Sequence, residues 1–514
     1  VPFYCERDRV IESKRWPTFV ASLVAIVGGM LIAAGGAPIL AFGLPWAGIA
    51  LLHLAYQQAW LRGSGWRGAW IGLVAGFAAN AMSMGWAVDL FIEHAYLPYE
   101  AALGLGSLLW LAQTLPFVAA GALGAHLYRM LPAGERWLAT PLALLLGGTL
   151  GAMFFPWRVG TSQTEFSAMA SWARVGGVGL VDLFLVLPVV MGIEALREHR
   201  AQLGGLALVT LALALGGGAL VHRTAMNERQ GAPVLSVGVA HTILSIDERR
   251  NTMRWEANHI ALQVETARLE AEGAQLVLWP ETAFAFQWPR TRRRDGFGIE
   301  SVRGGLVHGP VVFGSVTYDR TGRWNSVVGM DDRGEVVGIV DKRVLMPFSE
   351  RIPFYEWLEP WHRELPRSLT PAAGPGVTYL GAIRVGILNC YEDLSDEHTR
   401  WLAHLYPSFL SNHTNDAWFG ARGAELHMFL SRLRAIETGR DLIRAVNGGV
   451  SAHIAWTGEV VARREVDEAG GFLTEVRVGE GRTLFVVLGD WVGMGAMGIY
   501  LALLLASRKQ LSRT

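Results

Sequence analysis

From residue 18 to about 222, apolar residues come in runs too long and too continuous to leave a polar face. A helix crossing the hydrocarbon core takes about 20 mostly apolar residues. Runs of that kind lie near 18–36, 38–56, 68–88, 101–125, 138–156, 175–195 and 203–221, with one more near 487–506. Pro38, Pro45, Pro116 and the many glycines are compatible with this reading, because membrane helices tolerate both better than soluble ones. The pattern predicts a bundle of about seven helices, a long interruption, and one final span.

The interruption follows a different pattern. Across 233–483, short β-branched runs (Val234–Ala240, Gln275–Trp279, Val311–Val316, Val336–Val340, Ile383–Leu388, Leu442–Val446) alternate with loops and helical stretches. Arg254–Ala271 and Glu425–Thr438 carry the helical period. This predicts an α/β domain large enough for one substantial core.

Composition agrees with both halves. Of 514 residues, 51% are hydrophobic and only 18% charged. Lys plus Arg balances Asp plus Glu, 45 against 45, so no net field points to nucleic acid. Where the positive charge sits is more telling than its total, because basic short loops stay cytoplasmic. With the N-terminus inside, the inner side receives Lys14, Arg15, Arg62, Arg67, Arg129, Arg136, Arg197, Arg200, Arg508 and Lys509; the outer short loops receive Arg158 and Arg174. The expected organisation is a cytoplasmic segment 1–17, a transmembrane bundle 18–222, an extracytoplasmic domain 223–486, a final span 487–506 and a cytoplasmic tail 507–514. Such a chain is expected to cross a membrane several times with both termini inside.

Cysteine is limited to Cys5 and Cys390, which excludes a disulfide framework and a CxxC zinc cluster. The topology puts the two on opposite sides, so Cys390 stands alone in an oxidising compartment, where a thiol is either buried or used. It follows the strand-like Arg384–Leu388 and Asn389, and precedes Tyr391, Glu392, Asp393 and a plausible helix N-cap, Ser395. Backbone dipoles at such a place favour thiolate, while three neighbouring acids oppose it, so the sulfur needs a cation or a base. Two more strand ends offer these: Glu281 after Gln275–Trp279 and Pro280, and Lys342 after Glu335–Asp341. Together they could supply base, oxyanion-stabilising cation and nucleophile. Singly, each has a plain structural explanation: a first-turn acid, a surface lysine, a buried thiol.

The segments Leu278-Trp-Pro-Glu-Thr-Ala283, Asp341-Lys-Arg-Val-Leu-Met-Pro-Phe-Ser-Glu350, Asn389-Cys-Tyr-Glu392, Thr414-Asn-Asp-Ala-Trp-Phe-Gly420 and Asn447-Gly-Gly-Val-Ser451 resemble, in order and spacing, motifs of the apolipoprotein N-acyltransferases, membrane-embedded members of the nitrilase superfamily. The flanking spans and the Gly489-Asp490-Trp491 lead-in agree with this. The resemblance implies a polytopic α-helical membrane bundle carrying an α/β nitrilase-like domain, an α-β-β-α sandwich. It implies Glu281 as general base, Lys342 as the cation for the tetrahedral intermediate, and Cys390 as nucleophile. Glu350, Tyr391 and Glu392 would support them or line the pocket, Glu350 by orienting Lys342. The implied reaction moves the sn-1 acyl chain of a phospholipid, typically phosphatidylethanolamine, onto Cys390 as a thioester. The chain then passes to the α-amino group of a diacylated apolipoprotein. No cofactor or metal is implied.

The sequence departs from the usual family pattern at Ala240-His241-Thr242, Phe284, Asp341 and Ser349. These positions are expected near the pocket mouth, so they bear on substrate identity. Two other readings share the same residues: a membrane-tethered amidase or hydrolase, and a lipid- or lipoprotein-binding protein without catalysis. The aromatic stretch Ile352–Trp361 could lie at a membrane interface, and Arg290, Arg292, Arg293 and Arg294 could meet lipid phosphates. His241 reads as structural. Asp89, Glu93 and His94 read as interfacial.

Overall fold

The computed structural model describes residues 16–347, 349–351, 369–479 and 481–511. Cys5 and the aromatic stretch from Ile352 lie outside them.

Every apolar run is helical. Thr18–Ala33 and Leu44–Trp60 form a hairpin whose closest approach needs Gly28 and Gly48: a Cβ on Gly48 would lie 2.7 Å from the Gly28 carbonyl. The runs near 68–88 and 101–125 are each two helices rather than one. Gly65–Ser83 bends by 60° into Trp86–Ala95 at Met84-Gly85, and Tyr99–Ala112 bends by 40° into Leu115–Met130 at Thr114, with Pro116 in the new first turn. Glycine and a first-turn proline explain both breaks. Among the described residues, Ala173–Glu198, Ala201–Glu228 and Trp491–Arg508 are long and apolar enough to cross a membrane, and the count rises to 5 if each bent pair is one span. Leu208 and Val209 stay 69% and 64% exposed. Apolar faces of that kind mark a surface that water does not cover.

Strands β1 (Val234–Val239), β2 (Leu276–Leu278), β3 (Phe284–Pro289), β4 (Val311–Tyr318), β5 (Arg323–Met330) and β6 (Val336–Asp341) come first. Then follow β7 (Gly376–Leu380), β8 (Ile383–Asn389), β9 (Phe409–Asn415), β10 (Leu442–Asn447), β11 (Ser451–Ile454), β12 (Val460–Arg464) and β13 (Phe472–Arg477). They make two sheets, ordered β13-β1-β2-β4-β5-β6 with β3 on β4, and β12-β11-β10-β9-β8-β7. The central strands β1, β2, β4 and β8, β9, β10 run parallel, and antiparallel strands close the edges.

Alternation along the strands builds three layers of core. Leu276, Leu278 and Val312 meet Val385, Ile387 and Ile443 between the sheets. Val277, Val311 and Phe313 face the other way, against Leu262 and Leu269 of helix Trp255–Ala271. Leu388, Leu410 and Leu442 pack on Met428 and Ala435 of helix Gly420–Thr438. This is the expected α-β-β-α sandwich. A separate aromatic cluster joins it to the apolar helices: Trp86, Trp110 and Phe155 pack with Leu394, Phe419 and Phe429.

Candidate active site

The three proposed site residues leave the carboxyl ends of β2, β6 and β8, where parallel sheets open their crevices. Glu281 follows β2 through Trp279 and Pro280, and the turn continues at Thr282 with φ +47°. That turn lies directly on β4. A Cβ on Gly314 would stand 2.4 Å from Thr282 N, so glycine is required there. Lys342 follows β6, its backbone N–H donating to the Asn325 carbonyl at 2.8 Å. Cys390 opens a short 3-10 turn after β8 and adopts φ +51°. A non-glycine residue held there is a strained backbone position. Ser395 caps the next helix, Asp396–Ala403, accepting from His398 N at 3.2 Å.

These ends converge. Lys342 Nζ lies 3.2 Å from Glu281 Oε1 and 2.8 Å from Glu350 Oε2. Lys342 is 2% exposed, Glu281 7% and Cys390 6%, so the charges interact with little water between them. Burial acts to lower the Lys342 ammonium, but the Glu281 and Glu350 carboxylates outweigh it and hold the group well above its ordinary value. For Glu350, burial acts upward and Lys342 outweighs it, leaving the carboxyl below the usual range. Burial pushes the Cys390 thiol well up; the Glu281 carboxylate adds to this and Lys342 opposes it. Burial thus favours the thiol form of the resting sulfur, beside the Glu281 side chain and the fixed Lys342 cation.

The supporting residues have distinct tasks. Glu350 grips Lys342 and also accepts from Met346 N at 2.9 Å. Glu392 does not face the charged pair. Its Oε1 accepts from Arg343 N and Val344 N at 2.6 and 3.1 Å, and its Oε2 accepts from Asn389 N at 2.9 Å. It thus clamps the lysine loop to the nucleophile turn. Tyr391 donates its hydroxyl to the Phe154 carbonyl and stands edge-on to Phe155, reaching into the helical region.

Several residues escaped the sequence reading. Asn325 donates to Glu281 Oε1 and Glu350 Oε1, both at 2.7 Å, and accepts from Asn389 Nδ2 at 3.0 Å. Asn412 holds the Cys390 carbonyl at 2.9 Å. Behind the nucleophile turn, Asp393, Asp416, His427 and Arg444 close a buried ring of charge. The arginine run is tied into ion pairs: Arg290 with Asp341 at 2.8 Å, Arg292 with Glu300 at 2.6 Å and Arg294 with Glu335 at 2.7 Å. Asp341 faces Arg290 and Ser326. His241 is structural, bonded to Ser451 Oγ at 2.8 Å and pushed down to about 4 by burial. Among the described residues no group of His, Cys, Asp and Glu has the arrangement of a metal site.

Two family models match the chain: the apolipoprotein N-acyltransferase N-terminal domain over residues 28–191 and the carbon-nitrogen hydrolase domain over 237–482. The chain belongs to the apolipoprotein N-acyltransferase family. Relatives that bear this family's name run end to end with it. One from Gloeobacter violaceus is 28% identical over 96% of this chain and 95% of its own length. One from Azotobacter vinelandii is 29% identical over 98% and 97%. Among solved structures, a nitrilase-superfamily amidase from Nesterenkonia is 18% identical, with a TM-score of 0.36, over 48% of this chain and 93% of its own. The two family models fall on the helical part and on the sandwich respectively.

Proposed function

We propose that this chain is a membrane N-acyltransferase that carries an acyl group on Cys390, from the sn-1 position of a phospholipid to the α-amino group of a lipoprotein's diacylglyceryl-cysteine. The observation that carries the reading is Lys342, held by two carboxylates at the strand ends where Cys390 begins its turn.

Glu281 takes the thiol proton as the sulfur attacks the ester carbonyl. The carbonyl oxygen gains negative charge, which the fixed Lys342 ammonium stabilises without reorganising. The tetrahedral species collapses with loss of the lysophospholipid alkoxide, which takes the proton back from Glu281, and a thioester remains. The incoming amine attacks that thioester, Glu281 accepts its proton, and Cys390 leaves as the restored thiol. Glu350 keeps the ammonium in place during both halves. Tyr391 and Phe155 connect this site to the apolar helices, which suits substrates that arrive laterally through lipid. The charge bias of the short loops supports an extracytoplasmic catalytic unit and cytoplasmic termini. Phosphatidylethanolamine is the proposed donor.

The test is the intact mass of the purified protein after exposure to phospholipid. An added acyl mass is expected, absent in Cys390→Ser, and it should disappear on adding a diacylated lipopeptide that gains the same mass. Release of free fatty acid with no acylated peptide would make the chain a hydrolase instead.

A further inference from the structure

A second polar site lies between the helices and the sandwich. A cavity of about 200 Å³ is lined by Thr149, Arg158, Leu394, Asp396, Arg434 and Asp490. Thr149 is near the end of helix Ala139–Leu150, Asp490 immediately precedes Trp491–Leu511, and Arg158 lies in the connection between apolar helices. The remaining residues come from the sandwich. The cavity therefore sits where apolar helices end against the catalytic unit.

Its charges are only partly spent on one another. Arg158 binds Asp182 at 2.7 Å and Asp490 at 2.8 Å, yet its buried Nη2 has no partner. Arg434 binds Glu437 at 2.9 Å and the Leu394 carbonyl at 3.2 Å, and its buried Nε has none. A buried donor left unmatched has lost its water without gaining a partner, which is unfavourable. Two such donors on the guanidinium groups of one cavity are what an oxyanion would satisfy. Asp396 and Asp490 on the same wall disfavour a bare polyanion and suit a neighbouring ammonium.

The cavity also has an apolar neighbour. Trp157, Thr161 and Leu430 line it and simultaneously line a second cavity, bounded by Ile32, Met84, Phe155 and Phe429. Phe155 stands edge-on to Tyr391, the residue after the nucleophile. The charged and apolar compartments thus share walls, and Phe155 of the apolar one touches the residue beside Cys390. The charged compartment is smaller than the roughly 300 Å³ at which drug-sized pockets begin, so it fits a head group rather than a whole lipid.

We propose that this cavity is the head-group subsite of the acyl donor, taking a zwitterionic phospholipid with its phosphodiester on Arg158 and Arg434 and its ammonium on Asp396 and Asp490. This rests on the acyl-transfer reading, and a binding measurement separates the two. Full-length Cys390→Ala protein is presented with equal amounts of dioleoyl phosphatidylethanolamine and dioleoyl phosphatidylglycerol, which share chains and phosphate but differ in the ammonium. Bound lipid is read by native mass spectrometry.

A preference for the ethanolamine lipid of about tenfold is expected, collapsing to about threefold or less in Asp396→Asn. Asp396 is exposed at its helix start, so that variant folds. Arg158→Lys, which keeps the charge but loses the fork, should weaken both lipids together. Equal binding of the two lipids, or a preference that both variants leave intact, overturns the subsite. In the protein with Cys390 present, the bound lipid should turn into its lyso form. Persistence of the intact lipid while Cys390 acquires an acyl mass overturns the assignment to the donor and leaves the catalytic reading standing. Failure of Cys390 to acylate while the lipid preference holds sinks the catalytic reading and with it the assignment to the donor, leaving a phospholipid head-group site only.

Discussion

Two buried charge clusters lie on either side of the Cys390 turn, built from nearly the same materials and left in opposite states. Behind it, His427 bridges Asp416 and Asp393 at 2.8 Å each, and Arg444 bridges the same two carboxylates, with Asp416 at 3.2 Å. Two cations face two anions, each charge has two partners, and Arg444, Asp393 and Asp416 are fully buried. In front of it, one cation, Lys342, faces Glu281 and Glu350, and the cluster borders a neutral thiol. The closed ring has nothing left to do but hold the turn. The open cluster keeps a carboxylate in excess, and that surplus is what the proposed chemistry would use as its base. Closure marks scaffold; an unmatched charge marks reactivity.

Neutralising the open cluster's cation should break this contrast most severely. Lys342→Met removes the group proposed to receive the oxyanion and leaves Glu281 and Glu350 without their shared cation. Acylation of Cys390 should fall by about a hundredfold to a thousandfold, read as single-turnover acyl mass against time. A variant that acylates within a few-fold of the parent protein would show that some other donor carries the oxyanion.

Opening the closed ring should cost folding rather than chemistry. Arg444→Leu strands two buried carboxylates with one imidazole between them, a loss on the order of 3–5 kcal/mol. A denaturant titration followed by circular dichroism measures it. An unchanged midpoint would mean that the ring contributes little to holding the turn.

The same contrast explains which residues could be read beforehand. Glu281, Lys342 and Cys390 announce themselves because each follows an apolar, β-branched run, and hydrophobic alternation survives in a linear string. Strand β9 does not. Phe409-Leu-Ser-Asn-His-Thr-Asn415 is not among the β-branched runs, yet it is a central strand, buried from Phe409 to Thr414. Its polar side chains are satisfied from afar: Asn412 by the Cys390 carbonyl, and His413 by the Trp279 carbonyl at 2.6 Å. Partners so distant in number leave no local signal, and Asn325, Arg444 and His427 were hidden for the same reason. The helix bends at Met84-Gly85 and Thr114 were obscured differently, because apolar character continues through both breaks.

A finer probe of the ring is pH. Burial acts to lower His427, but Asp416 and Asp393 outweigh it and raise the group to about 9 from an ordinary 6.5. A histidine whose folded value is raised contributes its stability fully below its unfolded value, and loses it as pH climbs through the folded one. The parent protein should therefore lose stability between about pH 7 and pH 10, with the slope reduced in His427→Gln. Equal slopes would mean that His427 is neutral in the folded ring, which would then carry a net negative charge.

The smallest effect should come from the arginine run, half-buried at Arg292 and exposed at Arg293 and Arg294, and it tests whether burial is what separates these clusters. Arg292 is committed to Glu300 at 2.6 Å and lies over the Trp288 ring at 4.8 Å, while Arg294 is 79% exposed beside Glu335. Exposed pairs of this kind are worth about 0–1 kcal/mol, because water screens them and holding long side chains costs entropy. Arg292→Glu with Arg293→Glu sets a new carboxylate against Glu300, a repulsion that the same water weakens. Acylation by zwitterionic lipid should stay within about twofold and stability within about 1 kcal/mol. A large loss on lipid vesicles, absent with a soluble ester, would instead put this run against lipid phosphates, and reactivity here would then depend on exposed charge as well as on the buried, unmatched kind.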